Sequence, residues 1–186
     1  MSDRTAAPKG ARTAAVRRRV SPMTAPLLVF GWGNRSRGDD ALGPLFVERL
    51  RIKAEEADMS GVEFLDDYQL QVEHALDLVD RARVLFVDAS LTCPAPFEVT
   101  PVHAARDVTF TTHAISPASV MQAYREIVGA EPPACTLLAI RGRRFELGHP
   151  PGPEALAHLE RSLDWAMTWL TAIHAPKTSA LEASNA

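Results

Sequence analysis

Two acidic residues and one histidine follow predicted strands, where the chain could assemble a reactive site. Asp88 directly follows the apolar run at residues 84–87, and Asp40 follows the first predicted strand at the mouth of a helix. His113 comes after a weaker strand candidate at residues 108–111. Because the site of an open α/β sheet lies at the carboxyl ends of its strands, we expect these side chains to converge. Two carboxylates and an imidazole can bind a divalent metal ion and leave coordination positions open.

Each of these residues also has an ordinary structural explanation. Asp40 would interact favourably with the positive end of a helix, and Asp88 could accept hydrogen bonds from a loop. A lone histidine is more often structural or exposed than a metal ligand. Because three separate segments supply the three residues, their spacing alone does not establish a metal site.

A glycine-rich loop joins the first strand to its helix and raises the alternative of a nucleotide-binding α/β domain. Its glycines at positions 31, 33 and 38 do not fit the G-x-G-x-x-G fingerprint, and no Gly-Lys-Ser/Thr follows. The loop ends in Asp39 and Asp40, whose negative charges would repel phosphate. The G-x-S-x-G and H-E-x-x-H motifs are absent from the sequence. Trp32 lies within the loop, where we expect it to line a cleft or to pack beneath the loop.

The elements that must position these residues alternate between strand and helix. Short apolar runs predict strands at residues 27–30, 62–65, 84–87, 97–102, 108–111 and 136–140, and residues 144–147 could extend the last one as a hairpin. One helix begins near Asp40 with Asp39 as its N-cap, and a second spans residues 72–79 with His74 exposed beside its apolar stripe.

Two further helices complete the pattern. One begins at Ser116 as N-cap and Pro117 as first residue and ends at Gly129, and the last one begins at Pro153. This alternation predicts an α/β fold with three layers, in which a twisted, mostly parallel sheet is flanked by helices on both faces.

The composition bounds the class of protein. The chain has 186 residues, of which 46% are apolar and 23% charged, so we expect one globular domain and exclude a wholly disordered chain. No apolar run is long enough to cross a membrane. The two cysteines, Cys93 and Cys135, form no CxxC pair. They exclude a disulfide scaffold or a cysteine zinc site and fit a reducing cytosol.

Charge divides the chain into parts. Residues 1–22 carry six basic residues and one acidic residue, whereas the remainder carries 14 basic and 22 acidic residues. We expect residues 1–24 to form a disordered basic tail, residues 25–175 a single α/β domain and residues 176–186 a flexible tail. We also expect a cytoplasmic monomer with neither a nucleic-acid nor a membrane partner.

Four blocks of the sequence together resemble the [NiFe]-hydrogenase maturation proteases. They are residues 31–44 (GWGNRSRGDDALGP), 85–89 (LFVDA), 112–117 (THAISP) and 137–148 (LLAIRGRRFELG). They stand in the family's order and extend over about residues 26–172. The resemblance implies an α/β fold and a cytosolic endopeptidase that removes the C-terminal extension of a hydrogenase large subunit after nickel insertion.

The resemblance also assigns roles to residues. By motif, it places the metal contacts and the catalytic roles on Asp40, Asp88 and His113, the same residues that the topology selects. The metal is nickel carried by the large-subunit precursor, and no organic cofactor is expected. Hydrolysis could use a metal-polarised carbonyl, a metal-activated water or one of the carboxylates as general base, and the sequence leaves these routes open.

The chain departs from the family pattern at three places. Asp40 stands where many relatives have Glu, and His149 stands where a Glu usually follows the last block. Residues 66–70 (DDYQL) replace a common Asp-Gly-Gly-Thr segment and resemble the branch that serves NAD-coupled, bidirectional hydrogenases. We expect Asp66, Tyr68 and Gln69 to rim the cleft and to help select the partner subunit. A non-enzymatic chaperone of nickel or of the large subunit remains an alternative.

Overall fold

The centre of the fold is a five-stranded sheet. The computed structural model describes residues 24–106 and 115–174 of the chain. The strands are β1 (Leu27–Trp32), β2 (Val62–Asp67), β3 (Arg83–Ser90), β4 (Phe97–Val102) and β5 (Ala134–Arg141). They lie in the order β2-β1-β3-β5-β4, and every neighbouring pair is parallel except β4 and β5. The predicted mostly parallel sheet is therefore confirmed.

Helices cover both faces of this sheet. They are α1 (Leu42–Glu56), α2 (Pro117–Val128) and α3 (Pro153–His174), together with short 3₁₀ helices at Gly38–Ala41 and Val72–Leu78. One core cluster joins α1 and α3 to one face, and a second joins α2 and the 3₁₀ helix Val72–Leu78 to the other. Because β1 and β3 are covered on both faces, their apolar residues follow one another without alternation. The predicted three-layer α/β architecture is confirmed.

The boundaries of α2 follow from local signals, as the sequence predicts. The Ser116 hydroxyl accepts a hydrogen bond from the Ser119 backbone N–H at 3.2 Å, and Pro117 is the first helical residue. Gly129 ends the helix in the left-handed conformation with φ of 71°. The predicted apolar face is buried only in part, because Ile127 is 58% exposed.

The start of α1 differs from the prediction. Asp39 is not its N-cap, because the 3₁₀ helix Gly38–Ala41 precedes α1 and Ala41 occupies the cap position without a side-chain hydrogen bond. The carboxylate of Asp39 instead accepts hydrogen bonds from the loop that follows β5. Pro44 lies in the first turn of α1, where a missing N–H is tolerated.

The predicted amphipathic helix at residues 72–79 is a 3₁₀ helix. Residues three apart share a face in this helix type, so Ala75 and Leu78 are both buried. Val72 and Leu76 are 42% and 58% exposed, so the stripe predicted from a period of 3.6 residues is wrong.

Four further predictions concern the loop after β5, the cysteines, membrane-spanning helices and the chain segments at 108–111 and at both tails. No strand forms at residues 144–147, which belong to the loop between β5 and α3. Both cysteines are buried and unpaired, and burial raises the pKa of the Cys135 thiol to about 12. Within residues 24–106 and 115–174, no helix is both long and apolar enough to cross a membrane. The predicted strand at 108–111 and the predicted tails at residues 1–24 and 176–186 lie outside the described residues, apart from Thr24.

Candidate functional site

Asp88 lies on β3 near the carboxyl edge of the sheet, beside Trp32. The parallel register pairs Gly31 of β1 with Val87 of β3, so Trp32 and Asp88 are the next residues on the two strands. The Trp32 indole N–H hydrogen-bonds to the Asp88 carboxylate, and the Ala89 backbone N–H donates to it at 2.8 Å. Trp32 is half-buried and packs against the second core cluster, with its ring centroid 6.4 Å from that of Phe30 and 6.1 Å from that of Phe86.

Burial raises the pKa of the Asp88 carboxyl to about 7. The negative charge of Asp40 acts in the same direction, whereas the hydrogen bonds from Ala89 and Trp32 lower the pKa. Asp40 and Asp88 are therefore electrostatically coupled at the carboxyl edge of the sheet, as the topology predicts. A carboxyl with a pKa near 7 can accept or release a proton at neutral pH, which is a property of catalytic acids and bases.

Asp40 is held by the glycine-rich loop. One of its carboxylate oxygens accepts a hydrogen bond from the Asn34 backbone N–H at 3.1 Å. Asp40 belongs to the 3₁₀ helix Gly38–Ala41, whose next residues lead into α1. Asp40 is half-buried, as is Asp88, so both residues are partly accessible to a ligand.

The third predicted site residue, His113, lies outside the described residues. Among the residues that the structure describes, no group of three His, Cys, Asp or Glu side chains could hold a metal ion. The structure therefore brings Asp40 and Asp88 together, and the metal triad with His113 stays a prediction.

The glycines of the loop allow close packing of backbone on backbone. A Cβ on Gly33 would lie 1.9 Å from the carbonyl oxygen of Asp40, and a Cβ on Gly43 would lie 2.2 Å from that of Trp32. Gly33 also has φ of 142°, which side chains rarely adopt. These glycines bring the end of β1 against the start of α1 and fix the Asp40 turn, which explains them without a phosphate ligand.

Asn34 links Asp40, one residue of the acidic pair Asp40 and Asp88, to Tyr68 of the predicted rim segment. Sequence reasoning missed this role. The Asn34 side-chain amide donates to the Tyr68 hydroxyl at 3.0 Å, while its backbone N–H holds Asp40. Its side-chain oxygen accepts from the Ser36 backbone N–H at 2.9 Å. This Asx turn is the local signal that could have identified it, because asparagine commonly stabilises loops in this way.

The predicted rim residues stand at the end of β2, next to the glycine-rich loop. The Asp66 carboxylate pairs with the Arg35 guanidinium at 3.0 Å, and the same guanidinium contacts Glu48 of α1 at 2.7 Å. Tyr68 is 62% exposed, and Gln69 is exposed beside it. The structure thus places all three predicted residues on one segment at the same edge as Asp40, and their role in substrate selection stays a prediction.

His74 is not exposed, contrary to the expectation from its helical position. Its side chain is 15% exposed and its Nε2 lies 3.3 Å from a carboxylate oxygen of Asp67. Its Nδ1 accepts a hydrogen bond from the Gln71 backbone N–H at 2.9 Å, and its ring packs edge-on against Phe30. His74 therefore connects the 3₁₀ helix Val72–Leu78 to the end of β2 beneath the rim.

Asp39 joins the turn that carries Asp40 to the loop after β5. It is 2% exposed, and its carboxylate accepts hydrogen bonds from the backbone N–H groups of Arg143, Arg144 and Gly152 at 2.7–2.9 Å. Burial alone would raise the pKa of Asp39, but these hydrogen bonds outweigh it and hold the pKa below its usual value.

Backbone hydrogen bonds strengthen the same junction. The Asp39 N–H donates to the Arg144 carbonyl at 2.6 Å, and the Gly38 N–H donates to that of His149 at 2.9 Å. We call these contacts between residues 36–39 and residues 142–152 the Asp39 clasp. His149, which departs from the family pattern, takes part through its backbone carbonyl.

No protein-family model matches the sequence, and no curated protein matches it. Among solved structures, the chain is similar to the hydrogenase maturating endopeptidase HybD from E. coli, with 25% identity and a TM-score of 0.61 over 80% of this chain and 93% of that chain. It is also similar to an endopeptidase from Escherichia coli, with 25% identity and a TM-score of 0.59 over 80% of this chain and 93% of that one.

A third similar structure is the [NiFe] hydrogenase maturation protease HycI from Thermococcus kodakarensis. It is 22% identical, with a TM-score of 0.63 over 79% of this chain and 93% of that chain. The chain thus shares its fold with hydrogenase maturating endopeptidases, which are peptide hydrolases, and these neighbours support the predicted class of enzyme. The NAD-coupled branch stays a prediction from residues 66–70.

Proposed function

We propose that this protein is an endopeptidase that removes the C-terminal extension of a [NiFe]-hydrogenase large-subunit precursor after nickel insertion. The observation that carries the proposal is the coupled acidic pair, in which burial and the charge of Asp40 raise the pKa of Asp88 to about 7. This pair lies at the carboxyl edge of a fold shared with hydrogenase maturating endopeptidases. We propose that the protein acts in the cytoplasm and as a monomer.

Nickel enters this proposal as part of the substrate. Asp40, Asp88 and His113 would complete the coordination of nickel carried by the precursor, so only a nickel-loaded precursor would dock productively. Carboxylate and imidazole groups are suitable ligands for a divalent metal ion of this kind. The proposal rests on the donor types of the three residues and on the proximity of Asp40 to Asp88.

The acidic pair supplies chemistry of its own. At neutral pH, Asp88 is poised to exchange a proton near the Asp40 carboxylate. One of the two carboxylates can take a proton from the attacking water while the peptide carbonyl is polarised. Trp32 and Ala89 hold the Asp88 carboxyl in place, and Asn34 holds that of Asp40.

The rim segment, residues 66–69, would determine which partner the protein accepts. Asp66, Tyr68 and Gln69 would contact the precursor and favour the large subunit of an NAD-coupled hydrogenase. The support is their position, since Tyr68 is both exposed and joined through Asn34 to the loop that holds Asp40.

Incubation of the protein with a nickel-loaded and a nickel-free large-subunit precursor tests the proposal. We expect the nickel-loaded precursor alone to become shorter, as measured by mass spectrometry of the large subunit and of the released peptide. His113→Ala should leave this precursor uncut, whereas Asp164→Asn, an exposed change on α3, should cut it normally. Equal cutting of both precursors would refute recognition through nickel. If the unaltered protein binds the precursor without cutting it, the result would favour the chaperone alternative. No specific observation supports that alternative.

A further inference from the structure

A cavity of about 320 Å³ lies beside the Asp39 clasp, between the loop after β5 and the first turns of α3. Its charged and polar lining consists of Asp39, Arg141, Arg143, Arg144, Glu154 and His158. Ligand pockets span roughly 300–1,000 Å³, so this cavity is large enough for one side chain or one chain end. The proposed function does not use it.

The lining has more positive than negative charge to offer a ligand. The Asp39 carboxylate already accepts three backbone hydrogen bonds, and Glu154 pairs with Arg143 at 3.1 Å. Among the described residues, no carboxylate forms an ion pair with Arg144, although the positive charge of Arg144 helps to lower the pKa of Asp39. Arginine is well suited to bind a carboxylate, because its planar guanidinium can donate two parallel hydrogen bonds.

One wall of the cavity is firmly held. The Arg141 guanidinium donates to the Cys93 carbonyl at 2.8 Å, and the Arg141 carbonyl lies 2.9 Å from Nδ1 of His158. His158 is 9% exposed, so it anchors the end of β5 to α3. The cavity is therefore bounded by elements that the core and the Asp39 clasp already fix, which reduces the conformational entropy that the protein must lose when a ligand binds.

The cavity also has a fixed position relative to the acidic pair. Asp39 lines it, and the next residue of the same turn is Asp40. In the parallel register, Asp88 pairs with Ala139 and Ser90 pairs with Arg141, so Arg141 lies one strand over and two residues further along. Strand spacing and rise put the Cα atoms of Asp88 and Arg141 about 8 Å apart. The Asp88 side chain lies on the face of the sheet that α2 covers, whereas the cavity lies against α3 at the edge of the other face.

We propose that this cavity is a subsite for a carboxylate of the peptide substrate, bound at a distance from the bond that is cleaved. The inference rests on the proposed peptidase function. The carboxylate belongs either to the end of the peptide or to an aspartate or glutamate side chain within it. In both cases the arginines at the cavity supply the charge that recognises it.

Binding of small peptides tests the subsite without any cleavage. The probes are acetyl-tetraalanine with a free C-terminal carboxylate, the same peptide as its C-terminal amide, and that amide with one alanine replaced by glutamate. Backbone NMR signals of residues 141–158 should shift with at least one carboxylate-bearing probe and stay unchanged with the plain amide. A shift with the free acid alone identifies the chain end, and a shift with the glutamate peptide alone identifies the side chain.

Arginine variants make the test specific. Arg144→Gln should weaken binding of the carboxylate probe about tenfold, because it removes a charged hydrogen-bond donor. Arg143→Gln provides a second variant, and Arg106→Gln, an exposed change paired with Glu126, should bind as the unaltered protein does. No shift with either carboxylate probe, or binding of inorganic phosphate alone, would overturn the subsite.

The subsite and the proposed function fail in different ways. If the precursor is cut, Arg144→Gln should raise KM with little change in kcat, since the carboxylate contact is remote from the reacting bond. Unchanged KM in both arginine variants would overturn the subsite and leave the peptidase intact. If the precursor is never cut but the peptides bind in an arginine-dependent way, the peptidase function fails and the carboxylate site stands.

Discussion

Asp39 and Asp88 are two carboxylates at the same edge of the sheet with opposite surroundings. Asp39 accepts three backbone hydrogen bonds, and its pKa is low although it is buried. Asp88 is partly buried, accepts fewer hydrogen bonds and lies near the charge of Asp40, so its pKa is raised to about 7. Burial alone therefore does not define the chemistry of a carboxyl group. The number of donors that face it determines whether it stabilises the fold or exchanges a proton.

Two adjacent residues of this turn have different tasks. Asp39 and Asp40 are consecutive in the 3₁₀ helix Gly38–Ala41, and only the first is fully surrounded by donors. Asp39 fastens the turn to the loop after β5, while Asp40, held by the Asn34 backbone N–H, acts on Asp88 through its charge. A fixed turn is valuable here because catalysis depends on groups held close to their productive positions.

Substitution of Asp88 should affect catalysis more strongly than any other change. Asp88→Asn should reduce cleavage of the precursor about 10²- to 10⁴-fold, because it removes a group that can exchange a proton at neutral pH. The fold should persist, since Asn keeps the size of the side chain and carries no buried charge. The measurements are the rate of precursor cleavage and the melting temperature. Full activity in this variant would show that the raised pKa of Asp88 has no catalytic role.

The next effect concerns stability. Asp39→Ala should lower the free energy of unfolding by about 3 kcal/mol, because three backbone N–H groups lose a charged acceptor in a buried place. For a chain of this size, that corresponds to a melting temperature about 10 °C lower. Calorimetry of Asp39→Ala and of Asp164→Asn, which removes an exposed carboxylate, provides the measurement and its control. A loss below 1 kcal/mol would mean that the Asp39 clasp contributes little to stability.

The pH dependence should have opposite signs for the two groups. The folded-state pKa of Asp88, about 7, lies above its unfolded value of about 3.9, so its contribution to stability is present at low pH and is lost as the pH rises through 7. Between pH 5 and pH 7 this loss amounts to about 2 kcal/mol. Asp39 has a lowered pKa, so its contribution is present above about pH 4 and is lost as the pH falls further.

Urea unfolding at several pH values measures this contrast. The stability of the unaltered protein minus that of Asp88→Asn should fall between pH 5 and pH 7, and the difference against Asp39→Asn should fall below pH 4. Taking differences removes the contributions of the other titrating groups, including the histidines. A constant difference between pH 5 and pH 7 would contradict a raised pKa for Asp88.

Local signals made much of the fold predictable. The apolar runs located the five described strands, and Ser116, Pro117 and Gly129 fixed both ends of α2. Asp40 and Asp88 could be selected because parallel strands place their carboxyl ends at one edge. The sequence therefore contained enough information for the sheet and for the acidic pair, whose positions depend on elements close to them in the chain.

The role of Asp39 could not be predicted in the same way. Its donors are backbone N–H groups 104 to 113 residues away, and backbone groups have no signature in the sequence. His74 was misplaced for a related reason, since its partner Asp67 belongs to another element and the helix around it is 3₁₀. Contacts that are distant in the chain and made by the backbone are the ones that pattern reasoning missed.

The smallest expected effect lies at the rim, where Tyr68 accepts a hydrogen bond from Asn34 at 3.0 Å. Tyr68→Phe removes this exposed contact, so stability should change by less than about 0.5 kcal/mol. If the rim binds the precursor, KM should rise about threefold while kcat stays the same, because the hydroxyl helps to hold the ring against the loop beside Asp40. Glu98→Gln, an exposed change on β4, is the matched control. A lower kcat with unchanged KM would instead indicate that Tyr68 acts through Asn34 on the position of Asp40.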